Sequence, residues 1–89
     1  GWVVINDTFV RVGTNPDTYR GADVCYVSYT KIPKNQPRPK GPIEVAPELV
    51  IEVRSPTDRT SDVLAKVADY LGAGVTAVVV IDPAVEAVA

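Results

Sequence analysis

The chain has 89 residues, 46% of them hydrophobic, and nine Lys/Arg against eleven Asp/Glu give a net charge of −2. That size suits one domain with a modest core; no apolar run approaches the roughly 18 residues of a membrane helix, and the charge argues against strong unspecific attraction to nucleic acid. One cysteine, Cys25, and no histidine exclude an internal disulfide, a Cys/His zinc site and any His-based nucleophilic triad.

The net charge hides an asymmetry. Residues 1–42 hold six Lys/Arg and three Asp/Glu, whereas residues 43–89 hold three and eight. Nucleic-acid contact therefore stays open at the basic end. The chain starts at Gly1, has no methionine and closes on Val85-Glu86-Ala87-Val88-Ala89, which reads like the start of another strand. It is expected to be a single, truncated domain over residues 1–89, and with no signal-peptide pattern it reads as cytoplasmic.

Trp2-Val3-Val4-Ile5 is β-rich, Asn6-Asp7 is a turn pair, and Thr8-Phe9-Val10-Arg11-Val12 alternates, so a hairpin is expected here. Gly13 to Asp17 is a loop. Asp23-Val24-Cys25-Tyr26-Val27-Ser28 makes a third strand, with Asp23, Cys25 and Val27 on one face. Lys31 to Pro42 holds four prolines, four Lys/Arg and no acid. It reads as an extended, polyproline-like loop, either a solvated connector or a mobile basic arm touching phosphates.

Glu48 to Pro56 is a β-branched strand in which Val50, Glu52 and Arg54 share a face. A carboxylate in such a run demands a reason, because burying it unpaired is costly. Ser55-Pro56 ends the strand, and Thr57 or Asp58 is expected to cap a helix from about Arg59 to Leu71. Its apolar stripe is Val63, Leu64, Val67, Tyr70 and Leu71, with Lys66 at the edge. Gly72-Ala73-Gly74 stops the helix. Val75 to Ile81 is a near-continuous apolar strand, expected to be covered on both faces. The last strand, helix and strand predict a parallel crossover, and the earlier strands an antiparallel arrangement. The fold class is thus α/β or α+β, a mixed sheet with one main crossover helix.

Phosphate-loop and dinucleotide fingerprints are absent, which leaves carboxylates and lysine. If their strands adjoin, Asp23 and Glu52 face each other and offer hard oxygen ligands to a cation such as Mg²⁺, with the Val53 backbone carbonyl as a third. Lys66, reaching from the helix, would stabilise developing charge. Each residue also has a plain structural role open to it: Asp23 bonding loop amides, Glu52 pairing with Arg54, Arg20 or Lys66, Lys66 snorkelling at the rim, Tyr70 packing in the core and Cys25 behaving as a small hydrophobe.

The ordered set Gly21 to Ser28, Ala46 to Arg59, Lys66, Tyr70-Leu71, Ala73-Gly74-Val75 and Val80-Ile81-Asp82-Pro83 resembles the Uma-type restriction endonucleases of the PD-(D/E)xK nuclease superfamily. The resemblance covers about Tyr19 to Pro83. It implies a restriction-endonuclease-like mixed sheet and a Mg²⁺- or Mn²⁺-dependent endonuclease that hydrolyses DNA phosphodiester bonds. Asp23 matches the first metal-binding aspartate, though Ala22 replaces the usual preceding proline. Glu52 matches the second acid, and Lys66 the lysine that this branch carries on its helix. Arg54, two residues after the acid, would be auxiliary at most, since it is too basic to move a proton. The family's N-terminal helix is missing from this stretch, which could leave the fold inactive; the competing expectation is a catalytically inactive nuclease-like module that binds nucleic acid or forms a homodimer.

Overall fold

The computed structural model describes residues 1–37 and 41–83. Four strands and one helix occur in the order β1 (Trp2–Gly13), β2 (Thr18–Val27), β3 (Leu49–Val53), α1 (Thr60–Gly72) and β4 (Ala77–Ile81). The strands lie side by side in sequence order. β1–β2 and β2–β3 are antiparallel, β3–β4 is parallel, and α1 makes the crossover. Ile43 adds a one-residue parallel bridge to Val10 on the free side of β1. The mixed α+β sheet is of the restriction-endonuclease-like kind expected.

The N-terminal hairpin expected within residues 2–12 does not form. Trp2–Gly13 is one strand, and the hairpin turn lies after it, at residues 14–17. An Asn-Asp pair lacks the glycine that favours a two-residue turn, whereas Thr14-Asn15-Pro16-Asp17 concentrates turn residues, with Asn15 at φ 57°. The Asn6-Asp7 pair is absorbed as a bulge. Ile5 pairs with Val24 and Thr8 with Ala22, so two residues of β1 stand opposite Asp23 alone.

The core comprises Val10, Ala22, Cys25, Val27, Ile43, Val50, Tyr70 and Val75. Cys25 is the buried hydrophobe expected, and burial pushes its thiol up to about 11. Gly74, at φ 98°, turns the chain after α1, and the Val75 amide donates back to the Tyr70 carbonyl (3.1 Å).

Two expectations of burial fail. Leu64 and Leu71 lie 62% and 50% exposed, so only the Val63, Lys66, Val67 and Tyr70 side of α1 approaches the sheet. β4 is covered on neither face along most of its length: Val79 and Ile81 are exposed on one side, Val80 on the other. The cause is width. One 13-residue helix cannot cover four strands, and it lies on one face only. Register places Val3, Tyr26, Leu49 and Ala77 in one row of the opposite face, Ile5, Val24, Ile51 and Val79 in the next, and Val53 with Ile81 in a third. No charged side chain stands in these rows. The tract at Val85 to Ala89 lies outside the described residues, as do Arg38 to Lys40 in the basic loop.

Candidate active site

Glu52 is positioned by strand periodicity. Val50 and Glu52 point to the helix side of β3, at 0% and 8% exposure, while Leu49, Ile51 and Val53 point away. In the Val50 row, the partner on β4 is Val78, packed on the core. One row on, Glu52 pairs with Val80, and apolar filling stops. A pocket of about 350 Å³ opens there, lined among others by Glu52, Val53, Arg54, Lys66, Val80 and Arg20.

Both oxygens of Glu52 are held from α1. Lys66 Nζ donates to Oε2 at 3.1 Å, and the Tyr70 hydroxyl donates to Oε1 at 3.0 Å. Residues 66 and 70 are one helical turn apart, so both reach the same spot. Burial pushes the Glu52 carboxyl above its ordinary 4.5; Lys66 and the Tyr70 hydroxyl oppose that, and the nearby Asp23 charge adds to it. Burial, helped by the Glu52 charge, also pushes the Tyr70 hydroxyl upward, which keeps it a proton donor at ordinary pH.

Asp23 arrives from β2. The β2–β3 pairing ends at Val24–Ile51, and beyond it the Asp23 Oδ2 accepts the Val53 amide at 2.7 Å. A side chain thus replaces a backbone carbonyl as ladder acceptor, opposite the β1 bulge. Bulges of this kind commonly re-aim a side chain beside a site. The Asp23 carboxylate is tied to the residue next to Glu52, near enough for its charge to register on Glu52.

Arg54 is placed differently from its neighbours. Its guanidinium bonds Thr60 Oγ1 at 2.7 Å and the Asp58 carbonyl at 3.2 Å, which ties the end of β3 to the start of α1. It lines the pocket but makes no bond to Glu52. Asp58 does not cap the helix as expected. It closes the turn, its Oδ2 accepting the Ser55 amide at 2.8 Å, and Arg59 occupies the cap position with no side-chain bond. Arg20 is likewise engaged with Asp69 on the helix, at 2.7 and 2.8 Å.

The structure therefore brings Glu52 and Lys66 into direct contact and sets Asp23 against Val53, with Arg54 at the rim. The residue that sequence reasoning missed is Tyr70. It was expected in the core and is there, at 0% exposure, but its hydroxyl is turned onto Glu52. The available signal was its four-residue spacing from Lys66. Among the described residues, no three Asp, Glu, Cys or His side chains cluster as a ready-made metal cage. No helix among them is long and apolar enough to cross a membrane.

A search of curated proteins returns no match. The family model Uma2, "putative restriction endonuclease", matches residues 1–89, the whole sequence. The chain therefore belongs to the Uma2 family, whose model is described as a putative restriction endonuclease.

Proposed function

We propose that this chain is a Mg²⁺-dependent endonuclease that hydrolyses DNA phosphodiester bonds at the pocket beside Glu52. The observation that carries the reading is Glu52 itself: a carboxylate 8% exposed, gripped on both oxygens, at the wall of an open pocket. A carboxylate so placed costs stability that an apolar residue would not, and the matching family model is described as a putative restriction endonuclease.

Asp23, Glu52 and the Val53 carbonyl are the groups that would hold the cation. Mg²⁺ takes one or two carboxylates, keeps several waters and completes its shell with substrate phosphate, so two such ligands would suffice. Mn²⁺ accepts the same oxygen donors. When bound, the cation supplies charge neutralisation at the phosphate and a more acidic water. The chain's own residues do the rest. Lys66 holds its ammonium at the pocket wall, where it meets the negative charge that develops on the phosphate oxygens. Arg54 positions rather than transfers protons, with its guanidinium fixed to the start of α1.

The test is cleavage of supercoiled plasmid by the full chain with Mg²⁺, together with Mg²⁺ titration. Glu52→Ala is expected to abolish both cleavage and Mg²⁺ binding while the circular dichroism spectrum persists. Unchanged cleavage by this variant would remove Glu52 from the chemistry and end the assignment.

A second reading rests on the apolar rows of the sheet's outer face, where Val3, Ile5, Val53, Val79 and Ile81 are 45–56% exposed. An inactive nuclease-like module that pairs with a second copy through this face would sediment as a Mg²⁺-independent dimer and leave plasmid intact.

A further inference from the structure

The sequence pattern gives Tyr70 a place in the core but no part in the site. Its ring is fully buried, and its backbone is fixed at the end of α1, where its carbonyl accepts the amides of both Ala73 and Val75 at 3.1 Å. The helix carrying it is tied to β2 one residue earlier, through Asp69 and Arg20. The hydroxyl therefore has little freedom, and it donates to Glu52 Oε1 at 3.0 Å.

Glu52 needs such an anchor. A glutamate loses considerable rotamer freedom when it is fixed in place. Lys66 alone holds it weakly, because its ammonium sits on a flexible stem whose side chain is 29% exposed. Lys66 is also the group expected to turn toward substrate. A ligand carboxylate held by a rigid outer partner keeps its orientation when its mobile partner leaves.

We propose that Tyr70 is a positioning residue, its buried hydroxyl holding the Glu52 carboxylate oriented toward the pocket for the cation. This rests on the metal-nuclease reading of Glu52. A purely structural Tyr70 would need its hydroxyl only to satisfy hydrogen bonding, and its removal would leave metal affinity alone.

The experiment is Mn²⁺ titration, followed by electron paramagnetic resonance, and plasmid cleavage kinetics on the full chain. Wild type, Tyr70→Phe and Glu52→Ala are compared. Phenylalanine keeps the packing and deletes the hydroxyl. Tyr70→Phe is expected to lose about tenfold to a hundredfold in Mn²⁺ affinity, the range seen when an outer partner of a ligand is removed. At saturating Mn²⁺, kcat is expected to fall while KM for DNA holds. Wild-type Mn²⁺ affinity and kcat in a folded Tyr70→Phe, with both lost in Glu52→Ala, overturns the positioning role alone. Mn²⁺ binding retained in Glu52→Ala overturns the metal reading and this inference with it. Should Tyr70→Phe not fold, wild-type crystals soaked in Mn²⁺ decide: the hydroxyl is expected still within hydrogen-bond reach of Glu52, and a hydroxyl turned away overturns the proposal.

Discussion

Glu48 and Glu52 stand four residues apart along one segment, and each is met by a lysine. Lys31 lies 3.7 Å from Glu48, and Lys66 lies 3.1 Å from Glu52. Their carboxyls nevertheless move in opposite directions. At Glu48 the Ser28 amide, donating at 2.9 Å, holds the carboxyl below its ordinary 4.5. At Glu52 burial overrides both partners and pushes the carboxyl up. The side chains are 31% and 11% exposed. A backbone amide decides at Glu48 and burial decides at Glu52. Glu48 straps the loop after β2 to the sheet, its own amide donating to the Tyr26 carbonyl and its carbonyl accepting the Ala77 amide. Glu52 joins no such strap; its carboxyl is held by Lys66 and Tyr70 beside open space.

The largest test of this contrast removes each lysine in turn. Lys66→Met leaves Glu52 buried with only the Tyr70 hydroxyl for company. A lysine whose side chain is 29% exposed stands short of a fully buried ion pair, so the expected loss is about 2 kcal/mol in urea unfolding at pH 7. Lys31→Met breaks a longer, wetter pair and is expected to cost less than about 1 kcal/mol. Equal losses would mean that burial does not separate the two sites.

A pH series reads the same contrast through its sign. Glu52 has its folded pKa raised, so its contribution to stability is present below 4.5 and is lost as pH rises through the folded value. Glu48 has its folded pKa lowered, so its contribution is present above 4.5 and is lost as pH falls through the folded value. The stability of wild type minus Glu52→Gln is therefore expected to decline with rising pH above 4.5. Wild type minus Glu48→Gln is expected to rise with pH below it. Parallel profiles from urea melts would contradict the assignment of opposite shifts.

What could be read in advance follows the range of each interaction. Glu52 stood out because strand alternation is local, and a charge among Val50, Ile51 and Val53 breaks it visibly. Lys66 stood out at the edge of a helical stripe for the same reason. The crossover and the mixed sheet followed from element order. The continuous β1 did not, because the choice between a turn and a bulge at Asn6-Asp7 depends on which partner β2 offers. The bare faces of β4 were equally hidden, since an apolar run records a strand's capacity for burial and not what covers it. Tyr70 was legible as core, but the direction of one hydroxyl is a tertiary fact. The bond from the Val53 amide to Asp23 spans 30 residues and had no local signature.

That bond gives the smallest effect and separates two roles in one side chain. Asp23 accepts the Val53 amide at an exposed position, and it also sets a negative charge near Glu52. Asp23→Asn keeps a side-chain acceptor and deletes the charge, so stability is expected to stay within about 0.5 kcal/mol. Asp23→Ala deletes both; water then serves the freed amide, and the loss is expected near 1 kcal/mol. Both variants lower the Glu52 pKa, because both remove the charge that raises it. Backbone amide exchange at Val53 distinguishes them, with protection expected in Asp23→Asn and lost in Asp23→Ala. If cleavage fails equally in the two while only the alanine variant loses that protection, the charge of Asp23 serves the chemistry and its geometry serves the sheet.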